Sequence, residues 1–158
     1  MIDITAKPNS EFGLSPADRK SPAGPWLHSF LGTIVFGSAD KVIQEDNVPI
    51  IFLLSSIIES TLLVTRFRTR LRTIPMPSTE REIRILGEKD YTLLQIIHPN
   101  LGVELEATIN DETIATLFNT ITGLMKTWQA GYLDDKYFVR SNWMIGAALD
   151  LDASATPL

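Results

Sequence analysis

The chain has 158 residues and a mass of 17.6 kDa, enough for one hydrophobic core and short for two. A formal charge of −5 and a pI near 5.0 argue against a general nucleic-acid coat, because phosphate binding shows as a net basic surface. With no cysteine there is no disulfide framework, no thiolate nucleophile and no cysteine metal site.

The start of the chain, Met1, Ile2, Asp3, Ile4, Thr5, Ala6, Lys7 and Pro8, has neither the basic opening nor the apolar run of a secretory signal, so the expected localisation is cytoplasmic. Residues 1–25 carry Pro8, Pro16, Pro22 and Pro25 among serines, glycines and charges. They read as an extended N-terminal arm whose Ile2, Ile4, Phe12 and Leu14 would dock on a neighbouring surface, that of a partner subunit or of the chain's own domain.

From Trp26 the residues Leu27, Phe30, Leu31, Ile34, Val35, Ala39, Val42 and Ile43 recur at helical intervals behind Pro25, which predicts a helix over about 26–45. The counter-reading is a strand over 30–36, because Gly32, Gly37 and the β-branched Thr33, Ile34 and Val35 weaken a helix there. A second helix follows, with Asn47 as its cap, Pro49 in its first turn, and Ile50, Ile51, Leu54, Ile57, Ile58, Thr61 and Leu62 on its buried face. No turn residue separates it from what comes next.

Next come four arginines at every second position: Arg66, Arg68, Arg70 and Arg72. Period two belongs to a strand, so over 64–74 the guanidinium groups are expected on one sheet face, with Phe67 and Leu71 on the other. After Pro75 and Pro77, strands are predicted at about 80–87, 91–98 and 102–109, joined by turns short enough to force antiparallel pairing. In the last of these, Val103, Leu105, Ala107 and Ile109 should face inward and Glu104, Glu106 and Thr108 outward. The strand at 91–98 carries Tyr91, Leu93, Leu94, Ile96 and Ile97 on both faces, which implies a cover on its second face. Asn110 or Asp111 then caps a helix striped by Ile114, Leu117, Phe118, Ile121, Leu124, Met125 and Trp128 and ending near Gly131.

The expected fold class is α+β: an antiparallel four-stranded meander packed against two N-terminal helices and one helix after the sheet. Residues 26–131 form the single domain. Residues 132–158, with the apolar run Trp143, Met144, Ile145, Gly146, Ala147, Ala148 and Leu149, pack on that domain or on a partner and end in an acidic tail.

Six of the eight arginines lie between Arg66 and Arg84. Their planar forks suit carboxylates and phosphates, and Glu80, Glu82, Glu104 and Glu106 on neighbouring strands would partly neutralise them. The expectation is a noncatalytic protein-protein interaction or assembly subunit, self-associating or part of a larger particle, with Arg66, Arg68, Arg70, Arg72 and Arg84 binding the partner. One alternative is a nucleic-acid-binding module using the same arginines, although no aromatic residue interleaves with them on the expected face. A second is a small enzyme with a carboxylate site, drawn from pairs such as Asp134 and Asp135, Asp150 and Asp152, or Asp111 and Glu112. No phosphate loop, dinucleotide fingerprint, nucleophile elbow or zinc helix can be read, and His28 and His98 stand alone. No catalytic, metal or cofactor residue is therefore assigned. The apolar stretch 48–64 followed by arginines resembles a stop-transfer segment, but Pro49 and Glu59 favour a buried helix.

Overall fold

A computed structural model of the chain describes residues 1–10, 30–76 and 79–126. Among these residues seven strands and two helices run in the order β1 (Asp3–Pro8), β2 (Leu31–Gly37), β3 (Val42–Pro49), α1 (Ile50–Phe67), β4 (Leu71–Pro75), β5 (Glu82–Gly87), β6 (Thr92–His98), β7 (Gly102–Ile109) and α2 (Asp111–Lys126). The class is α+β. Its strands form two antiparallel sheets where one was expected: β1-β2-β3, and a meander β4-β5-β6-β7 whose first strand is 71–75 instead of the expected 64–74.

The expected helix over 26–45 is absent from residue 30 onward, and the counter-reading holds. In β2 the residues Gly32, Ile34 and Phe36 point inward and alternate with half-exposed neighbours, the period of two that β-branched residues favour. In β3, Ile43 and Glu45 face inward; a bulge opposite Thr33 then inserts one residue, so that burial resumes at Val48. Asn47 sits in that bulge with φ +56° and does not cap a helix. Its side-chain oxygen accepts a hydrogen bond from the Asn9 amide at 2.9 Å.

The opening of the expected arm is also part of the fold. Residues 3–8 pair antiparallel with β2, Ile2 and Ile4 are buried, and the Ile2 N–H donates to the Thr108 carbonyl at 2.8 Å, joining the small sheet to β7. The side of Gly32 lies so close to β1 that a Cβ there would stand 2.4 Å from the Lys7 carbonyl oxygen. Residues 11–25 of the arm and all of 132–158 lie outside the described residues.

Helix α1 starts at Ile50 and carries the expected buried face, but it runs five residues beyond 62. Leu62 and Val64 continue its buried stripe, and tertiary packing decides in favour of the helical period over the alternating arginines. It packs on β4, β5 and α2, and at its other end on β2 and β3. By length and composition α1 could cross a membrane, with a mean hydropathy of 1.7; here 56% of it is buried inside the fold. Helix α2 is capped as expected, the Thr113 N–H donating to Asn110 Oδ1 at 2.9 Å, and Ile114, Leu117 and Ile121 are buried. Its expected end near Gly131 lies outside the described residues, as does Trp128.

Candidate interaction surface

The arginine run does not form one strand face. Arg66 lies in the last turn of α1, and Arg68 ends the helix in the left-handed conformation (φ 56°, ψ 28°) with its N–H donating to the Leu63 carbonyl. Arg70 precedes β4, and Arg72 lies within it. The helix can turn into β4 here because Gly87 on β5 leaves room: a Cβ would stand 2.8 Å from Val64 Cγ1.

Register separates the remaining arginines by face. Arg72 is opposite the fully buried Ile85, so it leaves on the helix side of the sheet, although at the rim where it is exposed. Arg70, two residues earlier, shares that side. Arg84 is opposite Thr73 and leaves on the other face.

Their partners differ as well. Arg66 pairs with Asp111 at 3.2 Å, with both side chains at least half exposed, and Arg84 pairs with Glu82 two residues away on its own strand. Such exposed pairs are worth about 0 to 1 kcal/mol. Among the described residues no carboxylate stands within ion-pair distance of Arg68, Arg70 or Arg72. Three cations without an ion-pair partner among the described residues thus lie within five positions.

They flank an open sheet edge. Among the described residues strand β4 is paired on one side only. The Gly87 N–H donates to the Arg70 carbonyl at 3.0 Å and the Met76 N–H to the Arg81 carbonyl at 3.1 Å, which fixes the even-numbered residues as those bonded to β5. The N–H and C=O groups of Leu71 and Thr73, and the C=O of Pro75, consequently point to the open side. Leu71 is 48% exposed and Phe67, at the helix end, 74%.

A second charged centre was not visible in the sequence pattern. Arg81, just before β5, donates through Nη1 to Glu45 Oε1 at 2.8 Å and through Nε and Nη2 to both oxygens of Glu104, tying β3 of the small sheet to β7 of the large one. Glu45 is buried, its side chain 4% exposed. Glu104, expected outward, is turned in by a bulge that sets Val103 and Glu104 against Ile97, and Val103 takes the exposed position. The hydrogen bonds of Arg81 hold the Glu104 carboxyl below the usual carboxylate range, against the opposing effect of burial. The same contacts, those of Glu104 first, push the Arg81 guanidinium further above its already high range. No run of residue types announces this bridge; the regular inward register of Glu45 in β3 and the bulge at Glu104 in β7 bring it together.

His98 ends β6 with Nε2 4.0 Å from Glu80 and Nδ1 accepting from the Asn100 N–H. Asp111 and Glu112 occupy the first turn of α2, where negative charge suits the helix N-terminus. Asp134, Asp135, Asp150, Asp152 and His28 lie outside the described residues. Among the described residues no three metal-ligating side chains converge. A shallow groove of about 440 Å³ on the outer face of the small sheet is lined by Thr5, Ala6, Lys7, Thr33, Val35 and Gln44, and the Thr33 hydroxyl there donates to Asp46 at 2.7 Å.

Comparison with protein-family models, with curated proteins and with solved structures gives no match to this chain.

Proposed function

We propose that the chain is a noncatalytic protein-interaction or assembly subunit that takes an acidic segment of a protein partner along the β4 edge. The observation that carries this reading is the trio Arg68, Arg70 and Arg72, without ion-pair partners among the described residues, beside main-chain groups of Leu71 and Thr73 that point out of the sheet. Strand addition at a free edge supplies affinity through main-chain hydrogen bonds, and flanking side chains supply selectivity. Arg68 adds to the argument: the left-handed conformation suits glycine, and an arginine there costs roughly 1 kcal/mol, which a role for its charge would offset. Arg66 and Arg84, expected to share this surface, are occupied by Asp111 and Glu82 and play a supporting part. A cytoplasmic setting belongs to the same proposal.

The test is isolation of the chain from its native cells with cross-linked proteins, beside the variant Arg68→Glu, Arg70→Glu, Arg72→Glu. Reversal of the three charges should release the captured proteins and leave the unfolding free energy within about 0.5 kcal/mol, as for other surface substitutions. Recovery of the same proteins by the variant refutes the assignment of the edge. A strict monomer without any cross-linked protein refutes the function.

Nucleic-acid binding is the second reading, and one observation favours it: Phe67 stands exposed between Arg66 and Arg68, where a base could stack. The net charge of −5 counts against it. A single-stranded oligonucleotide titrated at low and moderate salt decides the matter: tight, steeply salt-dependent binding that the triple variant abolishes would displace the protein-partner reading.

A further inference from the structure

The open edge of β4 has a complementary sequence in the same chain. Along β4 and the residue before it, Arg70, Leu71, Arg72 and Thr73 alternate cationic side chains on the helix side with an apolar group and a small hydroxyl on the outer side. Leu149, Asp150, Leu151 and Asp152 alternate apolar and acidic residues with the same period of two. An antiparallel pairing of 149–152 with 70–73 places Leu71 opposite Leu151 and Thr73 opposite Leu149, the hydrogen-bonded pairs. It places Arg72 opposite Asp150 and Arg70 opposite Asp152, in the closely spaced pairs where cross-strand side chains meet best. Shifting the register by one residue sets each aspartate against the outer face and loses both ion pairs.

We propose that residues 149–152 add to β4 within the same molecule as a fifth strand of the large sheet, and so occupy the edge that a partner must take. The second half of this statement rests on the partner reading given above; the docking itself does not. From Lys126, the last described residue of α2, Leu149 is 23 residues on, a stretch that when extended covers roughly 75 Å, so reach does not limit the contact. A tethered segment of this kind acts at an effective concentration on the order of a millimolar. A second copy of the chain, or a partner with a similar acidic strand, competes only by binding more tightly or at comparable concentration. Covering the edge also removes a template for unwanted strand pairing.

Amide exchange at Leu71 and Thr73 tests the docking. In the full chain both amides should be protected, and protection should be the same over a wide range of protein concentration. Ending the chain after Ala148, or making Asp150→Lys with Asp152→Lys, should speed their exchange by about tenfold or more while the amides of β5 and β6 stay as they were. Combining Asp150→Arg and Asp152→Arg with Arg70→Asp and Arg72→Asp should restore protection. Unprotected Leu71 and Thr73 amides in the full chain, or protection unaffected by the truncation, overturn the proposal. Protection that disappears on dilution assigns the segment to a second copy and overturns it too. The partner reading fails separately, when the truncated chain and its Arg68→Glu, Arg70→Glu, Arg72→Glu variant capture the same proteins or none.

Discussion

Replacing Arg81 by methionine should destabilise the domain by about 2 to 4 kcal/mol at neutral pH. The substitution keeps most of the side-chain volume and removes one cation from between two carboxylates. Breaking a fully buried ion pair costs about 3 to 5 kcal/mol, mainly because a charge is left without compensation. The lower range applies here because the Arg81 side chain is 27% exposed and water can reach part of the site, whereas Glu45, at 4%, has no such relief. The assay is urea unfolding followed by tryptophan-independent circular dichroism, with Glu45→Met and the double variant completing a cycle. Since the penalty resides in the stranded Glu45 carboxylate, Arg81→Met with Glu45→Met should recover at least about 1 kcal/mol relative to Arg81→Met alone. A loss below about 1 kcal/mol in the single variant, or a double variant showing the two single losses simply added, refutes the idea that this bridge couples the sheets.

The same variants carry a pH signature with a definite sign. The carboxyl of Glu104 is held below its ordinary value in the folded protein, so it binds a proton more readily when unfolded. Its contribution is complete above the unfolded carboxylate range and is lost as pH falls from about 5 through the lower folded value. Wild-type stability should therefore decline on acidification with a component that Arg81→Met removes. A slope unchanged by the substitution would show that other carboxylates govern the acid limb.

Three further outcomes follow from local geometry. Asn110→Ala should cost about 1 kcal/mol in thermal or urea unfolding, because Asn110 Oδ1 accepts from both the Thr113 N–H at 2.9 Å and the Thr113 hydroxyl at 3.0 Å. Gly32→Ala should cost at least about 2 kcal/mol, since the new Cβ would stand 2.4 Å from a backbone oxygen of β1 that cannot move without breaking the strand pair. Arg68→Gly should stabilise the chain by roughly 0.5 to 1 kcal/mol by relieving the left-handed residue, while weakening partner capture; gain in stability without loss of capture would separate Arg68 from the interaction.

The last three strands of the meander were legible because short turns separate their apolar runs, and α2 because a capping residue precedes an apolar stripe, whereas the first strand is 71–75 and not 64–74. The region 26–45 misled for a definite reason: Ile34, Val35, Val42 and Ile43 satisfy a helical spacing as well as a strand spacing. Only the glycines at 32 and 37 and the β-branched run favour the strand. The arginine run misled in the opposite direction. Period two is a property of a strand, but two of its four members, Arg66 and Arg68, were placed by the burial of Val64 against Gly87 and by the helix end, neither of which leaves a mark at the arginines themselves. Glu104 was illegible because it owes its direction to a β-bulge, one inserted residue reversing the inside and outside of a strand, and Glu45 because it continues the inward alternation of Ile43 in a stretch whose spacing also fits a helix.

Arginines crowded into one stretch of sequence therefore have two physical fates, and the fates can be separated. Arg81 has its hydrogen-bonding fork filled by Glu45 and Glu104, so its removal should change stability far more than any surface property. Arg70 and Arg72 lie at the other end of the β4–β5 hairpin, exposed and with no carboxylate within ion-pair reach among the described residues, so their removal should leave stability almost unchanged. If function followed the number of arginines alone, Arg81→Met and Arg72→Glu would impair partner capture to similar degrees once both proteins are folded. If function follows the open edge, only Arg72→Glu does so, and capture by folded Arg81→Met is intact. The comparison depends on which cations still have an unused charge to offer, a distinction that the fold makes and the spacing of the arginines does not.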